Sequence, residues 1–327
     1  MRYFSRIIKG LLKHIKIVVT IGILGFFIYY FINNKEDLLK VLSVQPLLLL
    51  GILIFYSIIF YLNGIFIKVI LKSFNKKISI LESFYVSIIS SLGNYFLPMR
   101  GGAVIRSVYL KKKFEFSYEH FVSTLYGYYI IVFLVNAFVG LVSLIVITIK
   151  YDVVSIPLYL FFGGLFVSML VLSFIKFPVK KIKGSKNKIV DKVLSIIRNI
   201  LDGWNMIVEN KRLLVSLILI TLIAFVVGVG LFYIEFKALG IDVTVIKVLL
   251  YNCLSGVSLL VSITPGSLGI REGIFSITSD ILGISNEQIM QLALLDRGVM
   301  LSCLVGLFVG LWALMGIIKR KLSVSSK

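Results

Sequence analysis

Long apolar stretches alternate with short, mostly basic ones along the whole chain. Six apolar stretches approach or exceed the roughly 20 residues that a helix needs to cross a bilayer. They predict membrane spans at 17–32, 46–67, 118–149, 156–177, 213–236 and 287–318. Two further apolar runs, 78–98 and 244–264, end at short segments that contain proline and glycine. The pattern therefore predicts an all-α polytopic membrane protein with two interrupted helices.

The two interruptions resemble one another and lie about 168 positions apart. The first contains Pro98, Arg100, Gly101, Gly102 and Arg106, and the second contains Pro265, Gly266, Gly269, Arg271 and Glu272. A serine follows each break at the same distance, Ser117 after the first and Ser285 after the second. Paired interruptions in the two halves of a chain are typical of transporter folds built from repeats, in which the binding site lies at the breaks.

Basic residues decide the predicted topology. They concentrate in four segments, at 68–77, 99–117, 178–212 and 319–327. The positive-inside rule places all four in the cytoplasm. A complete crossing by 78–98 would leave the lysines of 99–117 outside. We therefore predict that 78–113 is re-entrant from the cytoplasm and that 244–283 is re-entrant from the outside.

This topology gives six full spans, both termini in the cytoplasm and two halves of opposite orientation. If the arms of both interrupted segments cross the membrane completely, the count rises to eight or more helices. The predicted regions are an N-terminal span with an outer loop at 1–45, a first half at 46–177, a linker at 178–212 and a second half at 213–327. The basic start of the chain precedes 17–32 without a small-residue cleavage site, so we predict a retained span and not a cleaved signal peptide.

The linker carries apolar residues at helical spacing among its lysines and arginines. These are Ile189, Val190, Val193, Ile197, Ile200, Leu201, Trp204 and Val208. Tryptophan and basic residues beside an apolar stripe favour an amphipathic helix that lies on the inner leaflet. A solvated linker helix is the alternative.

Composition narrows the class of protein. The chain has 59% hydrophobic and 15% charged residues, whereas about a quarter of a soluble domain is charged. It has 35 Lys and Arg against 15 Asp and Glu, and the basic residues lie beside apolar spans. This arrangement indicates contact with anionic inner-leaflet lipids and no binding of nucleic acid. The spacing of Cys253, Cys303 and the two histidines does not suggest a metal site, and we expect no cofactor.

Charged residues near the breaks are the candidates for function. A charge within a bilayer costs about 2.5–3.5 kcal/mol on insertion scales, so it is usually paired or faces a wet cavity. Arg106 would lie on the helix that starts after Gly101, where free N–H groups and a guanidinium together suit a phosphate. Arg100 is a second candidate. The alternative is that both arginines only anchor the segment at the membrane interface.

Arg271 and Glu272 are adjacent on a predicted helix, so they point to different faces and need different partners. Asp296 and Arg297 interrupt the last apolar span. We predict a Glu272–Arg297 or an Arg271–Asp296 ion pair, which could also serve only to hold the second break against the last helix. The predicted substrate-binding set is Arg100, Arg106, Arg271, Glu272, Asp296 and Arg297. The remaining acidic residues near predicted interfaces are interpreted as structural: Glu119, Glu235 and Asp280.

At these motifs the chain resembles the lysylphosphatidylglycerol synthase transmembrane-region family, also called flippase-like or UPF0104 membrane proteins. The two signatures and the arginine in the last helix carry the resemblance: Pro98, Arg100, Gly102 and Arg106; Pro265, Gly266, Gly269 and Glu272; and Arg297. Ala103 stands where many members carry an acidic residue. The resemblance implies a lipid flippase of the cell membrane that moves an anionic, aminoacylated or polyprenyl-linked phospholipid. We expect no soluble aminoacyl transferase domain after Lys327.

Two other functions remain open. An integral membrane transferase acting on a lipid acceptor would need a carboxylate base or an acidic pair on a loop, and the sequence has no DxD-type pair. A non-catalytic partner in envelope assembly is compatible with the amphipathic linker but does not require the paired breaks. The glycines at 306 and 310 could support a homodimer.

Overall fold

The computed structural model describes residues 35–174 and 188–325. The predicted span at 17–32 and the first part of the linker lie outside the described residues. Within the described ranges the chain is helical and has no β-strand. The α-helices are α1 (Lys35–Leu42), α2 (Pro46–Ser73), α3 (Ile80–Phe96), α4 (Gly101–Phe114), α5 (Tyr118–Tyr151), α6 (Ile156–Phe174), α7 (Lys188–Glu209), α8 (Lys211–Ala238), α9 (Val245–Val257), α10 (Ile270–Ile277), α11 (Ser279–Leu282) and α12 (Asn286–Ser325).

Five helices in the described part of the chain are long and apolar enough to span a membrane. They are Pro46–Ser73, Tyr118–Tyr151, Ile156–Ser173, Lys211–Ala238 and Asn286–Leu314. Each coincides with one of the predicted spans. The prediction of an all-α polytopic membrane protein is therefore confirmed.

The two breaks are the tips of helical hairpins. In the first hairpin, Gly102 of α4 lies against the backbone of Ser90 in α3, and Tyr109 donates a 2.7 Å hydrogen bond to Glu82. The order of these contacts shows that α3 and α4 are antiparallel. In the second hairpin, Tyr251 of α9 stacks on Phe275 of α10 with ring centroids 3.8 Å apart. Short 3-10 turns at Ser258–Val261 and Pro265–Ser267 connect α9 to α10.

The hairpins run into the bundle from opposite ends. Lys76 Nζ lies 3.7 Å from the Glu115 carboxylate, so the open end of the first hairpin lies beside the end of α2. At the other end of the bundle, the Tyr151 hydroxyl donates to Thr244 Oγ1 at 3.2 Å, just before α9 begins. The basic segment 68–77 and the lysines at 111–113 thus lie at one end, which agrees with the positive-inside argument.

The internal repeat is visible in the helix caps. Ser117 accepts a 3.2 Å hydrogen bond from the backbone N–H of His120 at the start of α5. Ser285 accepts one of 3.2 Å from the N–H of Gln288 at the start of α12, and the Gln288 side chain accepts from the N–H of Ser285. Such caps satisfy backbone donors that the first helical turn leaves free. In both halves, therefore, a broken hairpin leads into a long helix with a serine cap.

The linker helix α7 packs part of its apolar stripe on protein. The structure buries Leu201 and Trp204 against α5, while Val190 and Ile197 stay exposed. Gly203 permits this contact because a side chain at that position would collide with the backbone of Ser123. The second half of the apolar stripe therefore packs on other helices, and the first half stays available to a membrane surface.

Candidate functional site

Both predicted ion pairs at the second break form. Glu272 accepts hydrogen bonds from Arg297 Nη2 at 2.5 Å and from Arg297 Nε at 3.0 Å. Arg271 points the other way and pairs with Asp296, which also accepts a hydrogen bond from the Tyr56 hydroxyl. Glu272, Asp296 and Arg297 are each at most 6% exposed. The second hairpin is thereby bound to α12 through two pairs, and Tyr56 ties α2 to the same part of α12.

The same network shapes the second break itself. Arg297 Nη1 donates to the carbonyl oxygen of Gly266 at 2.9 Å, and the other carboxylate oxygen of Glu272 accepts from the N–H of Gly269 at 2.8 Å. Gly266 has a φ of 56°, and a side chain there would crowd Arg297 and the ring of Tyr95. A left-handed conformation and a close approach both favour glycine, which explains why glycine follows Pro265.

The first break presents its arginines differently. Arg100 has a left-handed conformation directly before α4, and its guanidinium donates to the hydroxyl of Tyr129 and lies 5.2 Å from the centroid of that ring. Arg106 Nε donates a 3.3 Å hydrogen bond to Ser90 Oγ. Within residues 35–174 and 188–325 neither arginine belongs to an ion pair. Both therefore keep an unneutralised positive charge in the described structure.

These side chains lie deep in the bundle. Tyr129 is about 17 Å from the start of α5 at a rise of 1.5 Å per residue. The backbone N–H of Met99 donates to the carbonyl oxygen of Ile263 at 3.2 Å, so the two hairpin tips touch. The breaks, predicted from sequence to form one site, are thus brought together.

A cavity of about 430 Å³ lies where the tips meet. Arg100, Arg106 and Arg271 line it, and none of the described residues that line it is acidic. Its other polar lining includes Asn63, Ser91, Asn94, Tyr95, Tyr128, Tyr129, Ser255, Ser258, Ser262, Thr264 and Ser267. The cavity is therefore cationic and rich in hydroxyl groups.

The predicted substrate set divides into two groups. Arg100, Arg106 and Arg271 border the cavity, whereas Glu272, Asp296 and Arg297 do not and form the ion pairs behind it. The predicted set does not include the tyrosines and other hydroxyl groups of the lining, since the tyrosines are interpreted from the sequence as an aromatic belt. Their clustering around the first break is visible in the sequence, but tyrosines also form belts at membrane interfaces, so the pattern alone does not separate the two cases.

Glu235, which is interpreted as structural from the sequence, has an unusual setting. It is completely buried on α8, close enough to Asp296 and Arg271 to interact with them electrostatically. A carboxyl group within a predicted span was itself a signal, because such groups are rare in membranes. Among the described residues no three His, Cys, Asp or Glu side chains are arranged to hold a metal ion.

A bundle of membrane-length helices with two broken hairpins that meet tip to tip defines a polytopic membrane protein with a central polar site. The family described as Lysylphosphatidylglycerol synthase TM region matches residues 14–310, and the chain belongs to that family.

Two curated relatives are UPF0104 membrane proteins of archaea. The one from Pyrococcus horikoshii is 29% identical over 150 residues, which are 46% of this chain and 43% of the relative. The one from Methanothermobacter thermautotrophicus is 28% identical over 107 residues, 33% of this chain and 30% of the relative. The matches thus span less than half of either relative. No solved structure matches the chain.

Proposed function

We propose that this protein is a lipid translocase that binds the phosphate of a membrane lipid in the cavity between the two hairpin tips. The observation that carries the proposal is the pair of arginines, Arg100 and Arg106, which line the cavity without an acidic partner in the described structure. A charge removed from water is costly unless it is paired. An anionic ligand would supply the missing pair.

The chemistry of the lining fits a phosphate group. A guanidinium presents a planar fork of N–H donors that matches two phosphate oxygens. Hydroxyl groups of Tyr129, Ser262 and Ser267 lie in the same cavity and could donate to further oxygens. At about 430 Å³ the cavity is of the size that holds a small ligand. It would hold a lipid headgroup while the acyl or polyprenyl chains stay in the bilayer.

The arrangement of the hairpins suggests how a headgroup could cross. The hairpins enter from opposite ends and touch at Met99 and Ile263, beside the cavity. In transporters with inverted repeats, rocking of one repeat against the other exposes a midplane site to each side in turn. We infer that both hairpins are re-entrant, since 17 residues in α3 and 13 in α9 give about 25 Å and 20 Å, less than the roughly 30 Å of a bilayer core.

The two ion pairs then have a positioning role. Glu272 and Arg297 fix the second tip to α12, and Asp296 holds Arg271 at the edge of the cavity. The substrate class is a phospholipid or polyprenyl phosphate, and the description of the family points to lysylphosphatidylglycerol as one candidate. Lysylphosphatidylglycerol and phosphatidylglycerol share a phosphodiester, which is the group that the arginines would recognise.

Translocation in proteoliposomes tests this function. The purified protein is reconstituted with fluorescent phosphatidylglycerol, lysylphosphatidylglycerol or a polyprenyl phosphate, and an outer-leaflet quencher reports movement. We expect one lipid class to move, and Arg106→Ala to slow it by about tenfold or more, because a hydrogen bond to a charged group is worth about 1.5–3 kcal/mol. Arg212→Ala, which removes an exposed arginine at the start of α8, is the matched control.

If no class moves in folded protein, the translocase proposal fails and the transferase and assembly-partner alternatives take its place. Equal loss in Arg106→Ala and Arg212→Ala would also contradict the assignment of the cavity as the site.

A further inference from the structure

Glu235 on α8 is a buried carboxyl group that the proposed lipid site does not use. It is 0% exposed, and no N–H or O–H group of the described residues donates to its carboxyl oxygens, whereas the carboxyl group of Asp296 lies within hydrogen-bonding reach. Buried polar groups are nearly always hydrogen-bonded, so such an exception calls for an explanation. An ionised carboxylate in this place would be especially unfavourable.

The groups that face Glu235 come from four of the helices around it. Asp296 of α12 and Arg271 of α10 are its charged neighbours. The buried hydroxyl groups of Tyr56 on α2 and Tyr251 on α9 also lie within electrostatic reach. Two further helices, α5 and α7, contact α8 nearer its start. There Tyr128 of α5 bonds to Thr221 of α8. The immediate surroundings of Glu235 therefore contain one carboxylate and one guanidinium.

The charges of this network do not balance if every carboxyl group is ionised. Arg271 and Arg297 supply two positive charges, and Glu235, Glu272 and Asp296 would supply three negative ones. Glu272 and Asp296 are each held by an arginine, whereas Glu235 is not. One proton on Glu235 makes the buried network neutral.

We propose that Glu235 is a proton-binding site that is coupled through Asp296 and Arg271 to the occupancy of the cavity. The coupling rests on the proposed function, whereas the proton site stands on the geometry of Glu235 alone. Arg271 is the physical link, because it pairs with Asp296 on one side and lines the cavity on the other.

The direction of the coupling follows from charge. An anion in the cavity attracts the Arg271 guanidinium and weakens its hold on Asp296. The region around Glu235 and Asp296 then becomes more negative and binds its proton more tightly. Linkage requires the reverse as well, so that protonated Glu235 raises the affinity for the anion by the same factor. An anionic headgroup would thus move together with a proton.

Infrared difference spectroscopy of the purified full chain, titrated with acid and base, tests the proton site without any transport. A protonated carboxyl group has a carbonyl stretching band that a carboxylate lacks. We expect a band that changes with pH in the unmodified protein, is lost in Glu235→Gln and persists in Glu119→Gln, which alters an exposed carboxyl group at the start of α5. Glu235→Asp, which keeps a titratable group, should shift the band. Absence of the band, or its persistence in Glu235→Gln, overturns the proposal.

A binding measurement tests the coupling. Short-chain phosphatidylglycerol, added to the protein in detergent, should bind severalfold more tightly at pH 6 than at pH 8 in the unmodified protein, and equally at both in Glu235→Gln. An unchanged pH dependence in Glu235→Gln contradicts the coupling.

The two proposals fail separately. An infrared band that depends on Glu235, without movement of any lipid, rejects the translocase and keeps the proton site. Lipid movement that depends on Arg106, without such a band, does the opposite.

Discussion

The backbone N–H of Met99 donates to the carbonyl oxygen of Ile263 across a distance of 3.2 Å. The two residues are far apart in sequence and belong to the tips of two hairpins that enter from opposite ends of the bundle. Their contact lies beside a cavity that Arg100, Arg106 and Arg271 line. If the protein moves a headgroup between leaflets, this contact must open and close.

A disulfide between the tips should therefore stop translocation. In the variant Met99→Cys/Ile263→Cys, oxidation is expected to lower lipid movement at least tenfold, and a reductant should restore it. The native cysteines, Cys253 and Cys303, are both buried, which limits competing bridges. The two single variants are the controls. Undiminished movement in fully cross-linked protein would show that the tips need not separate.

Removal of one partner of the Glu272–Arg297 pair should destabilise the protein strongly. Arg297→Ala leaves Glu272 buried without its counter-ion, which typically costs about 3–5 kcal/mol. Thermal unfolding in detergent measures the effect. The double variant Glu272→Gln/Arg297→Ala should lose less stability than Glu272→Gln and Arg297→Ala together, because no lone charge remains. Additive losses would show that the pair contributes no interaction energy.

Gly102→Ala should loosen the first hairpin. A side chain at Gly102 would collide with the backbone carbonyl of Ser90, so α3 and α4 would have to separate. Overpacking of this kind costs about 1–3 kcal/mol. Gly163→Ala is a matched control on α6, where no heavy atom of the described residues beyond its own helix backbone lies within 4 Å of the added methyl group. Equal melting temperatures for the two variants would contradict the close contact of α3 and α4.

Tyr129→Phe tests the setting of Arg100. The change removes the hydroxyl that accepts a hydrogen bond from Arg100 but keeps the aromatic ring beneath the guanidinium. We expect a severalfold weaker binding of short-chain phosphatidylglycerol with unchanged folding, since one of two contacts remains. Tyr126→Phe, on the same helix but outside the cavity lining, should bind normally. A similar loss in both variants would argue against a specific role for Tyr129.

The repeat and its ion pairs could be predicted from sequence because they follow from helix geometry. Adjacent residues such as Arg271 and Glu272 point to different faces, and the charges at Asp296 and Arg297 needed partners within an apolar span. Both predicted pairs form. The positive-inside argument likewise anticipated that the basic loops before α3 and after α4 lie at one end of the bundle.

Other features could not be predicted, because a hydrophobic pattern shows that a face is buried but not against what. The apolar stripe of α7 predicted an apolar face but did not show that Leu201 and Trp204, at its second half, pack on protein. Glu235 looked like an ordinary interface residue because its burial beside Asp296, without an arginine of its own, is a property of the tertiary structure. For the same reason the sequence did not separate the arginines that border the cavity from Arg297 behind it.

The measurement that most directly tests the central claim is a structure of the protein in a lipid nanodisc that contains the lipid it moves best. We predict density for the phosphate group between the guanidinium groups of Arg100 and Arg106, with the lipid chains directed out of the bundle. Phosphate density only at the basic surface near α7 and the start of α8, with the cavity filled by water, would contradict it.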